Sequence, residues 1–235
     1  MGQLACKNFA QAGWRVAALD INEKGLAATA EGSKNIATWA VDVTDFNAVE
    51  AVVAEIESRL GPIHTVYNCA AVLPMGKLLE QDNSIIHKQM QINYGGLVNI
   101  SQTALKRMVQ RGDGVFVSFA SMASFVPTLL VGAYSATKAA VATFNEVLYH
   151  ENRHSGVKFA SVCPPMVNTP LLDRGRNAVW PKMLDVGVSP IGPQVVLDKI
   201  QACLDKGRFL VFPTRFAAVF YYLRRLCPAA IWAYV

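Results

Sequence analysis

Short apolar runs alternate with helical stretches along the chain, and this alternation constrains the fold more than any other feature. Trp14–Leu19, Ile36–Val41, Ile63–Tyr67, Val115–Phe119, Val157–Val162 and Phe209–Phe212 read as strands. Residues 3–12, 22–31, 45–60, 84–109, 133–154 and 193–205 read as helices, and the segment beyond 212 reads as helical with a break near Pro228. Gly13, Gly61-Pro62, Gly112 and Gly156 supply stops, and Asp45 supplies an N-cap or first-turn acid. Helices between successive strands imply βαβ units and a mostly parallel sheet. The strands are apolar nearly throughout, as expected when helices cover both faces. The expected fold is α/β, a doubly wound parallel sheet in three α/β/α layers. No internal repeat or linker divides residues 1–235, so one domain is expected.

Composition removes several function classes. With 52% hydrophobic and 17% charged residues, the chain is not disordered. It holds no uncharged apolar stretch of about 18 residues, so no ordinary membrane-spanning helix is expected. The opening Met1–Lys7 lacks the basic-then-apolar layout of a signal peptide. The five cysteines are widely spaced, without C-x-x-C, so free thiols in a reducing cytoplasm are expected. His150 and His154 share a helix face but lack the H-E-x-x-H pattern, and no metal site is expected.

The net charge of +5 has a location. Residues 1–198 hold 16 basic and 16 acidic side chains, whereas residues 199–235 hold six basic and one acidic. A balanced body argues against nucleic acid as a partner. The tail 215–235 mixes Phe216, Phe220, Tyr221, Tyr222, Leu223, Trp232 and Tyr234 with Arg215, Arg224 and Arg225. That composition suits a peripheral membrane contact, an oligomer surface, or a wall of a substrate pocket.

The chain opens on a helix rather than a strand. Gly2 sits in that helix's first turn, and Asp20 ends the next strand 18 residues later. In a dinucleotide-binding βαβ unit, the acid that holds the ribose lies about 20 residues past the glycines. Met1-Gly2 therefore reads as the tail of a glycine-rich loop whose earlier glycines and preceding strand are absent.

Tyr134 and Lys138 form Y-x-x-x-K near the start of a long helix, which puts both on one face. A phenol titrates at about 10, too high for easy proton exchange at neutral pH. A neighbouring ammonium favours the phenolate, so the pair suits general acid–base work. Ser121 lies 13 residues earlier, just past the strand Val115–Phe119, at the end where ligands bind in open α/β sheets. Asn93 sits in Q-I-N-Y-G-G on the preceding helix.

In these features the sequence resembles the short-chain dehydrogenases/reductases, which have a Rossmann-like fold, over essentially its whole length. Asp20 matches the acid ending the family's second strand, with Ile21 beside it. Asp42-Val43 matches the segment that contacts adenine, and Asn68-Cys69-Ala70-Ala71 matches N-N-A-G. Asn93, Ser121, Tyr134 and Lys138 match the catalytic tetrad in order and spacing. Pro164-Pro165-Met166-Val167-Asn168-Thr169 matches P-G-x-V-x-T at the nicotinamide end.

The resemblance implies an NAD(P)-dependent oxidoreductase that interconverts a secondary alcohol and a ketone. In it Tyr134 moves the proton, Lys138 lowers the tyrosine pKa and holds the nicotinamide ribose, Ser121 polarises the carbonyl, and Asn93 holds a relay water. Gly2, Asp20, Ile21, Asp42, Val43, Asn68, Ala70, Tyr134, Lys138, Pro164, Val167 and Thr169 are the implied cofactor contacts. Asp20, with no basic residue among Ile21, Asn22 and Glu23, favours NAD over NADP without excluding the latter. A homodimer or homotetramer built on the two long helices is implied as well.

Three departures stand out. The family's first strand and T-G-x-x-x-G are not in this sequence. The expected strand order 3-2-1-4-5-6-7 thus lacks its central member, and the chain as written is expected to fold poorly or bind cofactor weakly. The alternative reading that follows is a catalytically impaired fragment acting through association. Ala71 replaces a glycine beside the adenosine. Pro165 replaces another and removes an N–H, so an extended turn is expected there. Val72–Leu79, Met122–Val131 and Leu171–Pro190 are the expected substrate-facing segments, and Met122–Val131 is strongly apolar. These residues either pack under a lid or line a pocket for a hydrophobic alcohol or ketone. Arg174 and Arg176 are expected in that lid, solvated or facing an anionic group.

Overall fold

The computed structural model describes residues 1–176 and 189–229, with side chains through 173 and from 189 onward. Most of the expected lid 171–190, the side chains of Arg174 and Arg176, and Trp232 and Tyr234 lie outside the described residues.

The elements follow in the order α1 (Gly2–Gln11), β1 (Val16–Asp20), α2 (Glu23–Ala30), β2 (Ile36–Ala40), α3 (Phe46–Leu60) and β3 (Thr65–Asn68). A long helix α4 spans 83–111. Then come β4 (Gly114–Phe119), α5 (Gly132–Asn152), β5 (Val157–Val162), α6 (Pro170–Arg176), α7 (Pro193–Leu204), β6 (Leu210–Val211) and α8 (Arg215–Leu226). Asp45 caps α3, accepting from Ala48 N at 3.0 Å. Asn22, Asp82 and Thr214 cap α2, α4 and α8 in the same way.

The strands are parallel and fall into two sheets, β1-β2 and β3-β4-β5-β6. Helices α3, α4 and α5 cover one face. Their core joins Val41, Val49 and Val53 to Leu97, Leu105, Met108, Phe116 and Phe159. On the opposite face α1 and α7 pack Ala5, Val196 and Ile200 against Val117, Val162 and Val211. A third cluster, Ala10, Ala18, Leu26 and Ile36, lies under β1-β2 where α1 and α2 cross it.

Several boundaries differ from the sequence reading. Strand β1 begins two residues late because Gly13 adopts a left-handed φ of 87° and Trp14 N still bonds back to Phe9 O. Strand β6 is only two residues long. Helix α4 is not uniform, because five-residue π segments, Gln91–Gly95 and Ser101–Leu105, interrupt its α-helical turns. A 3-10 turn, Met122–Ser124, and helix α6 were not anticipated from periodicity, since neither is long enough to carry one.

Candidate active site

Because the strands are parallel, their carboxyl ends share one edge. Asp20 ends β1, Asp42 and Val43 follow β2, and Asn68 ends β3. Ser121 follows β4, and Pro164, Val167 and Thr169 follow β5. The N-terminus of α1 reaches the same edge, where a Cβ added at Gly2 would lie 3.5 Å from the Cys69 Cβ.

Ser121 is the N-cap of the 3-10 turn, its Oγ accepting from Ala123 N at 3.1 Å. Ser124 completes a capping box. Its hydroxyl accepts from Ser121 N and donates to the Lys138 carbonyl at 2.8 Å. One side chain thus ties the β4 loop to the turn of α5 that carries Tyr134 and Lys138. Met122 N donates to Pro164 O at 3.0 Å, which joins the loops after β4 and β5.

Lys138 is buried, its ammonium donating to Phe119 O at 2.6 Å and lying 5.8 Å from the centre of the Tyr134 ring. Burial pushes the ammonium down to about 8. Burial also pushes the Tyr134 phenol up to about 12, opposed by its hydrogen bond with Ser121. The expected lowering of the phenol by Lys138 is therefore not the state of this structure. Desolvation penalises both charged forms, and the lysine's proton is directed at a backbone carbonyl.

Asn93 sits in the first π segment of α4 and is buried. Its Oδ1 accepts from Val72 N at 2.8 Å, and its Nδ2 donates to Val72 O and to Thr137 Oγ1, each at 3.0 Å. Gln89 Nε2 also reaches Val72 O. Thr137 in turn donates to the Tyr134 carbonyl. Both amide protons of Asn93 are engaged by protein atoms, so this side chain clamps the loop after β3 to the Tyr134 turn. A wide turn at a functional site is a recurrent use of π geometry.

Val43 is held from α4. Asn99 Nδ2 donates to Val43 O at 2.8 Å. A Cβ at Gly96 would sit 2.6 Å from Val43 Cγ2, so that contact requires glycine. Asp20 is exposed, and one of its carboxylate oxygens accepts from Asn22 N at 2.9 Å. Asp42 accepts from Thr44 N and Oγ1, and these bonds hold its carboxyl below the usual range.

Ser121 and Tyr134 open onto a cavity of about 240 Å³. Its walls are mainly apolar: Leu73 and Met75 from the loop after β3, Met122 and Val126 after β4, and Met166 and Leu172 after β5. Phe216, Ala217 and Phe220 of α8 form a further wall. Among the readings left open for Met122–Val131 and for the tail, lining a pocket is the one seen for these side chains. Leu130, between the lining residues Thr128 and Val131, has a left-handed φ of 65°, and its carbonyl accepts from Gly76 N at 2.8 Å. A left-handed leucine costs about 1 kcal/mol or more and tends to occur where function holds it.

Thr137, Ser124, Gln89 and Gly96 escaped the sequence reading as site residues. The Q-I-N-Y-G-G run carried a signal for Gly96, because two adjacent glycines inside a helix are costly unless something packs on them.

The chain matches the short chain dehydrogenase family over residues 1–179. It is 32% identical over 192 residues to 2-keto-3-deoxy-L-fuconate dehydrogenase of Xanthomonas campestris, covering 77% of this chain and 61% of that protein. It spans as little as 42% of the length of other curated relatives. Two solved folds superpose well. One is a short chain dehydrogenase/reductase of Burkholderia phymatum in complex with NAD, with TM-score 0.83 and 23% identity over 96% of this chain and 89% of that one. The other is a gluconate 5-dehydrogenase of Burkholderia cenocepacia in complex with NADP and tartrate, with TM-score 0.76 and 21% identity over 90% of this chain and 89% of that one. With its parallel α/β architecture and the match over most of its length, the chain belongs to the short-chain dehydrogenase family.

Proposed function

We propose that this protein is a nicotinamide-dependent oxidoreductase that interconverts an apolar secondary alcohol and its ketone. The observation that carries this reading is the meeting of Ser121 and Tyr134 at the rim of an apolar cavity, on the carboxyl edge of the sheet. The residues along that edge fit a dinucleotide. An exposed Asp20 carboxylate suits ribose hydroxyls, and the N-terminus of α1 beside Cys69 suits a pyrophosphate. Asp20 repels a 2′-phosphate, which favours NAD over NADP. Val43, Asn68, Ala70, Pro164, Val167 and Thr169 complete the proposed contact surface.

The cofactor, when bound, exchanges a hydride with the carbon that bears the substrate oxygen. The chain's residues handle the matching proton. Ser121 orients the oxygen, and Tyr134 donates to it or accepts from it. With a phenol at about 12, Tyr134 is protonated at neutral pH and is ready to donate to a ketone. Lys138 supports the phenolate only while its own ammonium is charged. Asn93 acts as a positioning residue through Val72 and Thr137.

The test is a panel of apolar secondary alcohols and ketones, assayed with NAD(H) and NADP(H) beside Tyr134→Phe. Turnover that the variant loses, with dinucleotide binding retained, supports the reading. Turnover equal in both proteins overturns it.

A further inference from the structure

Helix α8 has two apolar sides. Phe216, Ala217 and Phe220 line the cavity, and Tyr221 packs between Phe125 and Phe212. The outward side carries Val219, Tyr222, Leu223 and Leu226, exposed by 60%, 61%, 37% and 80%, and Phe216, 44% exposed, lies at the edge it shares with the cavity side. Residues 216, 219, 223 and 226 recur at i, i+3, i+7 and i+10, so they form one continuous stripe. A stripe of this kind on a surface helix marks a contact with something.

The charges on the helix say what it contacts. Arg215 is exposed beside the stripe, and Arg225 is exposed further round the helix, donating to Tyr221 Oη at 2.7 Å. Arg224 lies in the same turn, and residues 215–226 contain no acid. The chain's whole excess of positive charge lies from residue 199 onward. A second copy pairing through this face about a twofold axis would oppose arginine to arginine, with no carboxylate on the helix to relieve it. An anionic lipid surface supplies both an apolar layer for the stripe and negative headgroups for the arginines. No described helix is long and apolar enough to cross a membrane, so the contact is one of lying on the surface.

We propose that α8 docks the protein on an anionic lipid surface, stripe inward and arginines at the headgroups. One helix then separates the bilayer from the cavity. Docking stands whether or not Tyr134 is the proton donor, because its assay reads partitioning alone.

The experiment is co-sedimentation of the full chain with vesicles of phosphatidylcholine and phosphatidylglycerol, and with vesicles of phosphatidylcholine alone. Binding to the anionic vesicles is expected, weakening as salt rises. The double variant Val219→Ser, Leu226→Ser, which leaves the cavity wall untouched, is expected to partition roughly tenfold less or weaker still. Arg215→Gln with Arg225→Gln is expected to lose about tenfold on anionic vesicles and little on neutral ones. Far-UV circular dichroism checks that each variant is folded, and if the serine variant is not, the glutamine variant carries the decision. Absence of binding to anionic vesicles overturns the proposal, as does binding that neither variant weakens. Gel filtration in which the serine variant dissociates a dimer of the parent assigns the face to a second copy instead.

Discussion

The two sheets differ in what they carry and in what holds them. The four-stranded sheet β3-β4-β5-β6 is packed on both faces by large clusters, and it supports Ser121, Tyr134 and Lys138. The two-stranded sheet β1-β2 carries Asp20, and the cluster under it has four members, two of them alanines. Its other face is tied to the large core through Val41, Leu19 and α3. Two strands are marginal without such support. The residues proposed to handle the proton thus stand on the deeply packed part, and the proposed ribose acid stands on the lightly packed part. Local stability in proteins follows packing of this kind, so the cofactor side should open before the catalytic side does.

The largest effect is expected on the well-packed side. Tyr134→Phe should lower turnover by about 10²–10⁴-fold, the usual contribution of a positioned acid or base, and leave the melting temperature nearly unchanged. Steady-state kinetics beside thermal unfolding measures both.

Leu105→Ala and Leu26→Ala sharpen the comparison directly. Leu105 belongs to the large cluster and Leu26 to the small one. Burial costs for Leu→Ala run about 2–5 kcal/mol, and Leu105 should fall near the top of that range and Leu26 near the bottom. Urea unfolding of the two variants decides the matter, and equal losses would break the contrast. Leu26→Ala should also weaken dinucleotide binding, whereas Leu105→Ala should act on global stability.

Lys138 gives a pH test. Its folded pKa of about 8 lies below the ordinary 10.5, a difference of about 3 kcal/mol. Below pH 8 both states are protonated, and the penalty for burying the charge is fully present. Between 8 and 10.5 the folded state has lost the proton that the unfolded state keeps, so the penalty fades as pH rises. Lys138→Met should therefore be more stable than the parent near pH 7, by up to about 3 kcal/mol less the lost bond to Phe119 O, and that gain should shrink by pH 10. Thermal melts across this range are the check.

The smallest effect is expected on the lightly packed side. Asp20→Ala should raise the NAD dissociation constant roughly tenfold, the value of a hydrogen bond to a charged group, and should change NADP binding less. Fluorescence titration with the two reduced cofactors reads the ratio.

Much of this arrangement was legible in residue order. Alternation of apolar runs and helices yields parallel strands, and parallel strands bring Asp20, Asp42, Asn68, Ser121 and Pro164 to one edge without any tertiary knowledge. The spacing of Tyr134 and Lys138 works because an α-helix turns at a fixed period. Asn93 shows the limit. Its partners Val72 and Thr137 are 21 and 44 residues away, and no local pattern encodes such a contact. The electrostatics of Tyr134 and Lys138 depend on burial, which spacing does not report. Leu130 adopts a backbone conformation its residue type disfavours, so propensity points away from it. Helix α8 was legible as apolar and basic, but its division into a cavity wall and an outward stripe needed the packing of Tyr221 to fix its rotation.

The clamp on Val72 has a consequence for any ligand of the cavity. Both backbone polar groups of Val72 are taken up by Asn93, and Leu73 and Met75 of the same loop face the cavity. Loops that become ordered only when a ligand arrives subtract that ordering entropy from affinity. Here the loss falls on folding instead, so this wall meets every ligand in one shape. A wall of fixed shape discriminates by fit, and selectivity among apolar ligands should then follow molecular outline more closely than total hydrophobicity.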